Sequence, residues 1–377
     1  MHVIVSKKDL LRVLGRCQGV ADKKSTMPVL GNVLVRARDG ILELLATDLV
    51  VGITATLPVE VKKPGSIAAG AKDLFDRVRM MPEGQVSLEV TEGSSLSLKS
   101  LAGARRYTLF GLPGDEFPRL PVPEGTNTVD IEVQAMSRLI QTTYFSISSD
   151  ETRVHLSSAL FELEDNRVRM VTTDGHRLSK MEVRAAELSG KASMLIPLKG
   201  ILELRRLCDE AMNEADADGV KVKVLQSGPN VFFELGSYRF SVKLVEAQFP
   251  PYQQVIPAQS SLALRAPRAP LADALKAVSL AASDRTGGVK LTLTDGTLRV
   301  ESESPEAGAG FDEVAVEYTG TPLTIGLNAR YLLDVLNAIV DDEVILGITG
   351  ELDPAVVRPA GNRDSQDYLA VVMPMRI

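Results

Sequence analysis

The residues able to make and break bonds are few and scattered. The chain holds three histidines, His2, His155 and His176, and two cysteines, Cys17 and Cys208. No histidines have HExxH spacing, the cysteines stand far outside CxxC spacing, and no GxxxxGK[ST] loop, GxSxG elbow or GxGxxG turn follows a strand. The acidic triplet Asp341-Asp342-Glu343 reads as a solvated turn, because consecutive carboxylates do not converge on a cation as ligands from separate elements do. The pattern predicts no catalytic centre, no metal and no cofactor, and the two thiols read as reduced, buried and apolar in behaviour. What the spacing does support is a basic stripe. Lys8, Arg12 and Arg16 recur every four residues, which on a helix sets cations about 6 Å apart along one face.

Such a stripe requires a helix, and the neighbouring residues supply one. Ser6-Lys7-Lys8-Asp9 resembles a capping box, and Leu10, Leu11, Leu14 and Cys17 follow helical spacing. Strand Met1 to Val5 precedes this helix. Strands Asn32 to Ala37, Ile41 to Ala46 and Val50 to Val61 follow it, with Asp39-Gly40 as a hairpin turn. The order then restarts with strand Ser66 to Ala69, helix Lys72 to Met81 and strands Gln85 to Thr91, Ser95 to Leu101 and Arg105 to Phe110. Helices Val133 to Ser146, Leu198 to Glu210, Leu271 to Ala282 and one capped by Asn328 and ending near Val340 repeat the scheme, with Pro270 in a tolerant first turn. The fold class is therefore α+β, with βαβββ written six times. The Pro/Gly-rich links Pro113 to Thr126 and Phe249 to Ser260 set expected domains at 1–125, 126–257 and 258–377.

Composition bounds the class. The 377 residues are 45% hydrophobic and 24% charged, the balance of an ordinary soluble protein with room for three cores. No apolar run reaches the length of a membrane span, and the N-terminus enters a strand without the apolar region of a signal peptide, so a cytoplasmic protein without membrane partners is expected. The net charge of −7 argues against nucleic acid only as a sum. Every expected helix or its flank carries Lys or Arg, among them Lys72, Arg77, Arg138, Lys199, Arg206, Arg268 and Arg330. Positive charge is expected on one helical surface and negative charge elsewhere.

Four motifs point to a family. Gly111-Leu-Pro-Gly-Asp-Glu-Phe-Pro118, Thr172-Thr-Asp-Gly-His-Arg-Leu178, Lys243-Leu-Val with Phe249-Pro250, and the closing Val371-Val-Met-Pro-Met-Arg-Ile377 resemble the bacterial DNA polymerase III beta subunit, the β sliding clamp, across the whole chain. The resemblance implies a DNA clamp fold: three similar domains of two βαβββ units each, in a ring-shaped head-to-tail homodimer with helices lining the hole and sheets outside. Six helices spaced as packed neighbours enclose an opening of roughly 5 to 9 Å, too narrow for a duplex, whereas twelve enclose one wide enough for duplex DNA. The family tethers the replicative polymerase to encircled DNA without catalysing anything itself.

By the same resemblance, sequence-independent contact with double-stranded DNA falls to Lys24, Lys199 and Arg206, joined by Lys8 and Arg12 of the stripe. Arg153 takes part of the role that other members give to polar and aromatic residues near Val154 and His155. A groove for the short motifs of the polymerase alpha subunit, the clamp loader, other polymerases and repair proteins is implied at Leu156, Thr173, Gly175, His176, Arg177, Leu178, Pro250 and Val255. Asn328, Tyr331 and the tail residues Val371, Val372, Met373, Pro374, Met375 and Arg376 complete it. The implied dimer contact sets Lys72, Arg77 and Tyr107 against Leu280, Ala281, Glu301, Glu303 and Glu306. Two other readings remain open: a repeat scaffold that binds proteins without encircling DNA, and a hydrolase depending on His176 or Asp174.

Overall fold

Ser6 begins the first helix as its position predicts, its hydroxyl accepting the Asp9 N–H at 3.4 Å. The computed structural model describes every residue except 92, 126–127, 165, 185–190, 214–218, 259, 284–285, 362–365 and 377. Thr126 of the first link and Ile377 of the closing motif therefore lie outside the described residues. In chain order the first elements are β1 (His2–Ser6), α1 (Lys7–Val20), β2 (Asn32–Arg38), β3 (Ile41–Thr47), β4 (Val51–Pro58), β5 (Glu60–Lys63), β6 (Gly65–Gly70), α2 (Ala71–Arg79), β7 (Gln85–Thr91), β8 (Ser95–Ser100) and β9 (Arg106–Pro113). Next come β10 (Val129–Glu132), α3 (Val133–Gln141), β11 (Ser158–Glu164), β12 (Arg167–Thr173), β13 (Arg177–Arg184), β14 (Ala192–Pro197), α4 (Leu198–Met212), β15 (Lys221–Ser227), β16 (Asn230–Leu235) and β17 (Tyr238–Lys243). The remainder is β18 (Leu262–Pro267), α5 (Arg268–Val278), β19 (Gly288–Thr294), β20 (Thr297–Ser304), β21 (Gly308–Ala315), β22 (Leu323–Asn328), α6 (Ala329–Ala338), β23 (Glu343–Ile348), β24 (Ala355–Pro359) and β25 (Gln366–Val372).

The order is βαβββ six times among the described residues, with β5 as one insertion. The expected strand Val50 to Val61 breaks at Val59, whose N–H bonds Gly40 O at 2.9 Å, and β5 then turns away to pair with β1. The expected helix to Ser146 stops at Gln141. There the hydroxyls of Thr142 and Thr143 reach back to the carbonyls of Arg138 at 2.8 Å and Leu139 at 2.7 Å, and a 3₁₀ turn, Tyr144–Ser146, follows. Side-chain bonds of this kind compete with helix propagation. The fifth helix begins earlier than expected, at Arg268, and its expected end past Val278 is instead a 3₁₀ turn, Ser279–Ala281.

Two compact units result, Met1–Val133 with Leu202–Leu244, and Gln134–Ile201 with Val245–Ile377. The first holds a 13-stranded sheet ordered β10-β15-β16-β17-β4-β3-β2-β6-β9-β8-β7-β1-β5. The second holds an 8-stranded sheet, β14-β11-β12-β13-β25-β24-β23-β18, and a 4-stranded one, β21-β20-β19-β22. All named pairings are antiparallel, which suits half-buried strands with one face on a helix. Helices bury one side only: Leu10, Val13, Leu14 and Cys17 of α1 are buried while Lys8 is exposed, and Leu332, Val335 and Leu336 of α6 are buried while Arg330 is exposed. Each such leucine contributes roughly 2 kcal/mol by leaving water. Burial pushes both thiols, Cys17 and Cys208, up to about 12, which keeps them protonated.

One ionic ladder crosses the second unit's sheet. Arg169 on β12 stands opposite Glu162 on β11 and Glu182 on β13, bonding them at 2.9 Å and 2.8 Å, and Arg167 holds the other oxygen of Glu182. Burial alone would raise the Glu182 carboxyl, but Arg169 and Arg167 outweigh it and hold the group below the ordinary glutamate range. A carboxyl depressed in the folded state stabilises while it is ionised and loses that contribution as pH falls through its folded value. Glu182→Gln should therefore melt lower than wild type by a constant margin above about pH 5, and the margin should shrink on acidification. Thermal scans between pH 7 and pH 3 would read this, and a margin that grows with acid would contradict it.

Candidate functional site

A tight turn between β12 and β13 organises the site. The Thr173 hydroxyl donates to Arg177 O at 2.7 Å and accepts the Gly175 N–H at 3.1 Å. Asp174 Oδ1 accepts the N–H groups of His176 at 2.9 Å and Arg177 at 3.0 Å. Gly175 takes φ +94°, a left-handed conformation that costs glycine least. The turn delivers Arg177 inward, where its side chain is only 9% exposed. Its Nε donates to Asp174 Oδ2 at 3.1 Å, Nη1 to Asp334 Oδ2 on α6 at 2.6 Å, and Nη2 to the Phe145 carbonyl. The guanidinium carbon lies 4.5 Å from the Tyr331 ring centroid and 5.4 Å from that of Phe145. A buried guanidinium with charged, neutral and aromatic partners is fixed in place.

Beside this arginine lies a mostly apolar cavity of about 260 Å³. Leu156, Thr173, Gly175, Arg177 and Leu178 form part of the wall, with Pro250 and Val255 from the segment after β17 and Val371 and Met373 from the tail. Strand alternation explains the tail: Val371 pairs with Leu178 and joins its apolar cluster, while its neighbour Val372 turns to the other face. The chain beyond β25 is pinned by Met373 N–H to His176 O and Met375 N–H to Gly326 O, both 2.9 Å. His176, Asn328, Tyr331, Pro374, Met375 and Arg376 lie outside the lining. Asn328 caps α6 by accepting the N–H groups of Arg330 and Tyr331. Pro251, Tyr252 and Gln254 line the cavity although the sequence reading passed over them. Tyr252 is tied to the ladder, donating to Glu162 at 3.2 Å, and burial followed by Glu162 raises its hydroxyl above the ordinary range. Asp334 was also missed. Its signal was the i,i+3 spacing from Tyr331, which puts both on one helical face.

The same turn occurs in the other unit between β3 and β4. The Thr47 hydroxyl donates to Val51 O at 2.8 Å and accepts the Leu49 N–H at 2.9 Å, and Asp48 Oδ1 accepts Val50 and Val51 at 2.9 and 2.7 Å. Leu49 has φ +75°. The next strand bonds alike, Lys243 N–H to Val50 O at 2.8 Å matching Met373 N–H to His176 O.

The expected DNA contacts vary in their freedom. Lys8 and Lys24 are exposed, and Lys199 is half-buried at the start of α4. Arg12 donates to Tyr238 Oη at 3.2 Å and lies 3.6 Å from Glu210, which also holds Arg16. Arg206 is paired with Glu203. Arg153 bonds Asp150 at 2.9 Å and the Asp174 carbonyl at 3.3 Å, so it braces the groove turn.

Of the expected dimer residues, Tyr107 lies on β9, Lys72 and Arg77 on α2, Leu280 and Ala281 in the turn after α5, and Glu301 and Glu303 on β20. Among the described residues, 106–110 of β9 pair only with β8, and β21 pairs only with β20. Tyr107 is half-buried, Lys72 exposed and Arg77 bound to Asp73, while Phe110 is 87% exposed. In the second unit Leu280 is 81% exposed and Phe311 66%, Ala281 is buried, and Glu303 and Glu306 are exposed. Glu301 is paired with Lys290 at 3.3 Å and Arg299 at 3.0 Å. Phe110 and Phe311 were missed because an outward phenylalanine in a strand reads from sequence as core.

Models of the DNA polymerase III beta subunit match the chain throughout, the N-terminal domain at residues 1–121, the central domain at 130–251 and the C-terminal domain at 253–376. The beta sliding clamp of Pseudomonas putida is 33% identical over 380 residues, and that of Escherichia coli strain K12 is 31% identical over 378, covering all of both chains in each case. Among solved structures, the sliding clamp of Pseudomonas aeruginosa bound to griselimycin superposes with TM-score 0.93 at 32% identity, covering both chains fully. The beta subunit of Thermotoga maritima does so with TM-score 0.91 at 27% identity, over 100% of this chain and 99% of that one.

The rim residue Val255, 43% exposed, allows the cavity to be tested without disturbing the fold. Val255→Asp should weaken binding of a short apolar peptide about tenfold or more, measured by fluorescence anisotropy, and leave the melting temperature nearly unchanged, since surface substitutions alter stability by about 0.5 kcal/mol or less. Unchanged affinity would exclude this rim from ligand contact.

Proposed function

The chain belongs to the DNA polymerase III beta-subunit family, the sliding clamps, and from that premise we propose that two copies close head to tail around duplex DNA. It is a processivity clamp, a non-catalytic subunit that tethers the polymerase to its template. The observation that carries the ring is the sixfold βαβββ order, one helix per half-unit, over the full length. One copy brings six helices to the hole and two bring twelve, which gives an aperture wide enough for a duplex, roughly 20 Å. Each copy comprises three domains, 1–125, 126–257 and 258–377. The protein works in the cytoplasm, and among the described residues no helix is long and apolar enough to cross a membrane.

The dimer joins the free edge of β9 in one copy to β21 of the other. Unpaired edges invite strand addition, and Phe110, Tyr107, Leu280 and Phe311 supply apolar area there. The exposed carboxylates of Glu303 and Glu306 face the Lys72 side and set the polarity of the pairing. The groove at Leu178, Val371 and Met373 takes the apolar anchors of polymerase, loader and repair-protein motifs, and the inner cations Lys8, Lys24, Lys199 and Arg206 meet phosphates without reading bases.

A ring holds DNA by topology, so the protein loaded on a nicked circle by a cognate loader and ATP should stay bound and should run off once the circle is cut. Equal release from circular and linear DNA would refute encirclement. Tyr107→Ala and Leu280→Ala should each raise the dimer dissociation constant about tenfold, a loss of about 1.4 kcal/mol. Sedimentation velocity across low micromolar concentrations reads this, and an undiminished dimer in both variants would relocate the interface.

A further inference from the structure

The twin turns isolate what the groove requires beyond the turn itself. Both copies share the Thr hydroxyl bridge, the Asp cap, the left-handed third residue and the strand bonded at the fourth. Their side chains differ after the Asp: Leu49, Val50, Val51 and Gly52 stand in the first copy where Gly175, His176, Arg177 and Leu178 stand in the second. In the first copy Leu120 occupies the space over Gly52, so close that a Cβ there would lie 3.0 Å from its Cδ2. The second copy instead has a cavity, with Arg177 in its wall.

A buried guanidinium makes a poor wall unless its charge is answered on the side away from the ligand. Asp174 answers it within the turn, and the Phe145 carbonyl takes a third N–H. The remaining carboxylate comes from Asp334, at 2.6 Å, on a helix that contributes nothing to the cavity lining. Tyr331, one turn earlier on α6, has its ring centroid 4.5 Å from the guanidinium carbon. We propose that Asp334 is the positioning residue of the peptide groove: it draws the Arg177 charge toward α6 so that the cavity is left an apolar, guanidinium-faced wall. The inference rests on the groove reading given above and adds to it a residue that does not touch the ligand.

Without the Asp334 charge, Arg177 keeps a single carboxylate and is free to swing toward the cavity mouth, where it would compete with an apolar side chain. The probe is a fluorescein-labelled short peptide ending in two large apolar residues, titrated into the full-length protein. Asp334→Asn should weaken it about tenfold, while Asp334→Glu, which keeps the carboxylate, should stay within about threefold of wild type. Both variants should melt within a few degrees of wild type and sediment as wild type does, which separates positioning from support of the fold. Wild-type affinity in Asp334→Asn, equal losses in both variants, or unfolding of Asp334→Asn at the assay temperature would overturn the proposal. If the wild-type protein itself ignores the peptide yet stays on circular DNA, the groove reading fails and takes this inference with it.

Discussion

A helix laid on an antiparallel sheet has one face to bury and one to spare, and every half-unit of this chain obeys that constraint. Leu10, Val13, Leu14 and Cys17 go down in α1, Ala71, Leu74 and Val78 in α2, and Leu271, Ala274, Leu275 and Val278 in α5. The opposite faces have no packing duty, so their residues are set by what lies outside the core. Sheets impose the complementary condition. A strand side left without a partner keeps unpaired N–H and C=O groups, and among the described residues 106–110 of β9 and the outer side of β21 combine this liability with the exposed Phe110 and Phe311. One building rule thus leaves two kinds of unused surface, a polar helical one and a sticky edge, and the proposed ring uses both.

The repeat also shows how a site arises from a structural element. The Thr-Asp turn is a device for closing a hairpin: two side chains satisfy the turn's backbone N–H groups whatever the sequence around them. In the first unit it holds Leu49 and Val50 and nothing more specific. In the second, Arg177 stands where the first has an aliphatic residue, and it draws partners from α6 and from the 3₁₀ turn after α3. The early end of α3 matters here. The 3₁₀ turn that stands in place of its last turn sets the Phe145 carbonyl against the guanidinium.

The half-unit order was legible because it rests on local signals, the Ser6 and Asn328 caps, the Asp39-Gly40 turn with φ +51° and +76°, and alternation in the strands. The boundaries that failed did so through side-chain chemistry that periodicity ignores, as at Thr142 and Thr143. Of the residues that the family motifs name, Thr173, Gly175, Arg177, Leu178, Val371 and Met373 line the cavity, and they come from two local runs. Asp334 and Tyr252 escaped because their roles depend on partners far away in the sequence, Arg177 for one and Glu162 with Arg169 for the other. The pairing of Arg12 and Arg16 with Glu210 was invisible for the same reason: a basic stripe read along one helix says nothing about the acid that a second segment brings to it.

That last pairing bears on how a ring can hold DNA and still move. A protein that releases counterions by binding phosphates tightly gains affinity and loses mobility, since each fixed contact must break at every step. Cations already matched to carboxylates offer phosphates only a partial exchange. Arg12 and Arg16 have Glu210, Arg206 has Glu203, and Arg153 has Asp150. The exposed Lys8 and Lys24 carry compact charges on flexible stems, which suits phosphate contact without a fixed geometry. Contacts made through such paired arginines and exposed lysines would cost little free energy to shift along a duplex, so retention would have to come from closure of the ring. The net charge of −7, which taken as a sum seemed to argue against DNA, then fits a surface that surrounds a polyanion without adhering to it.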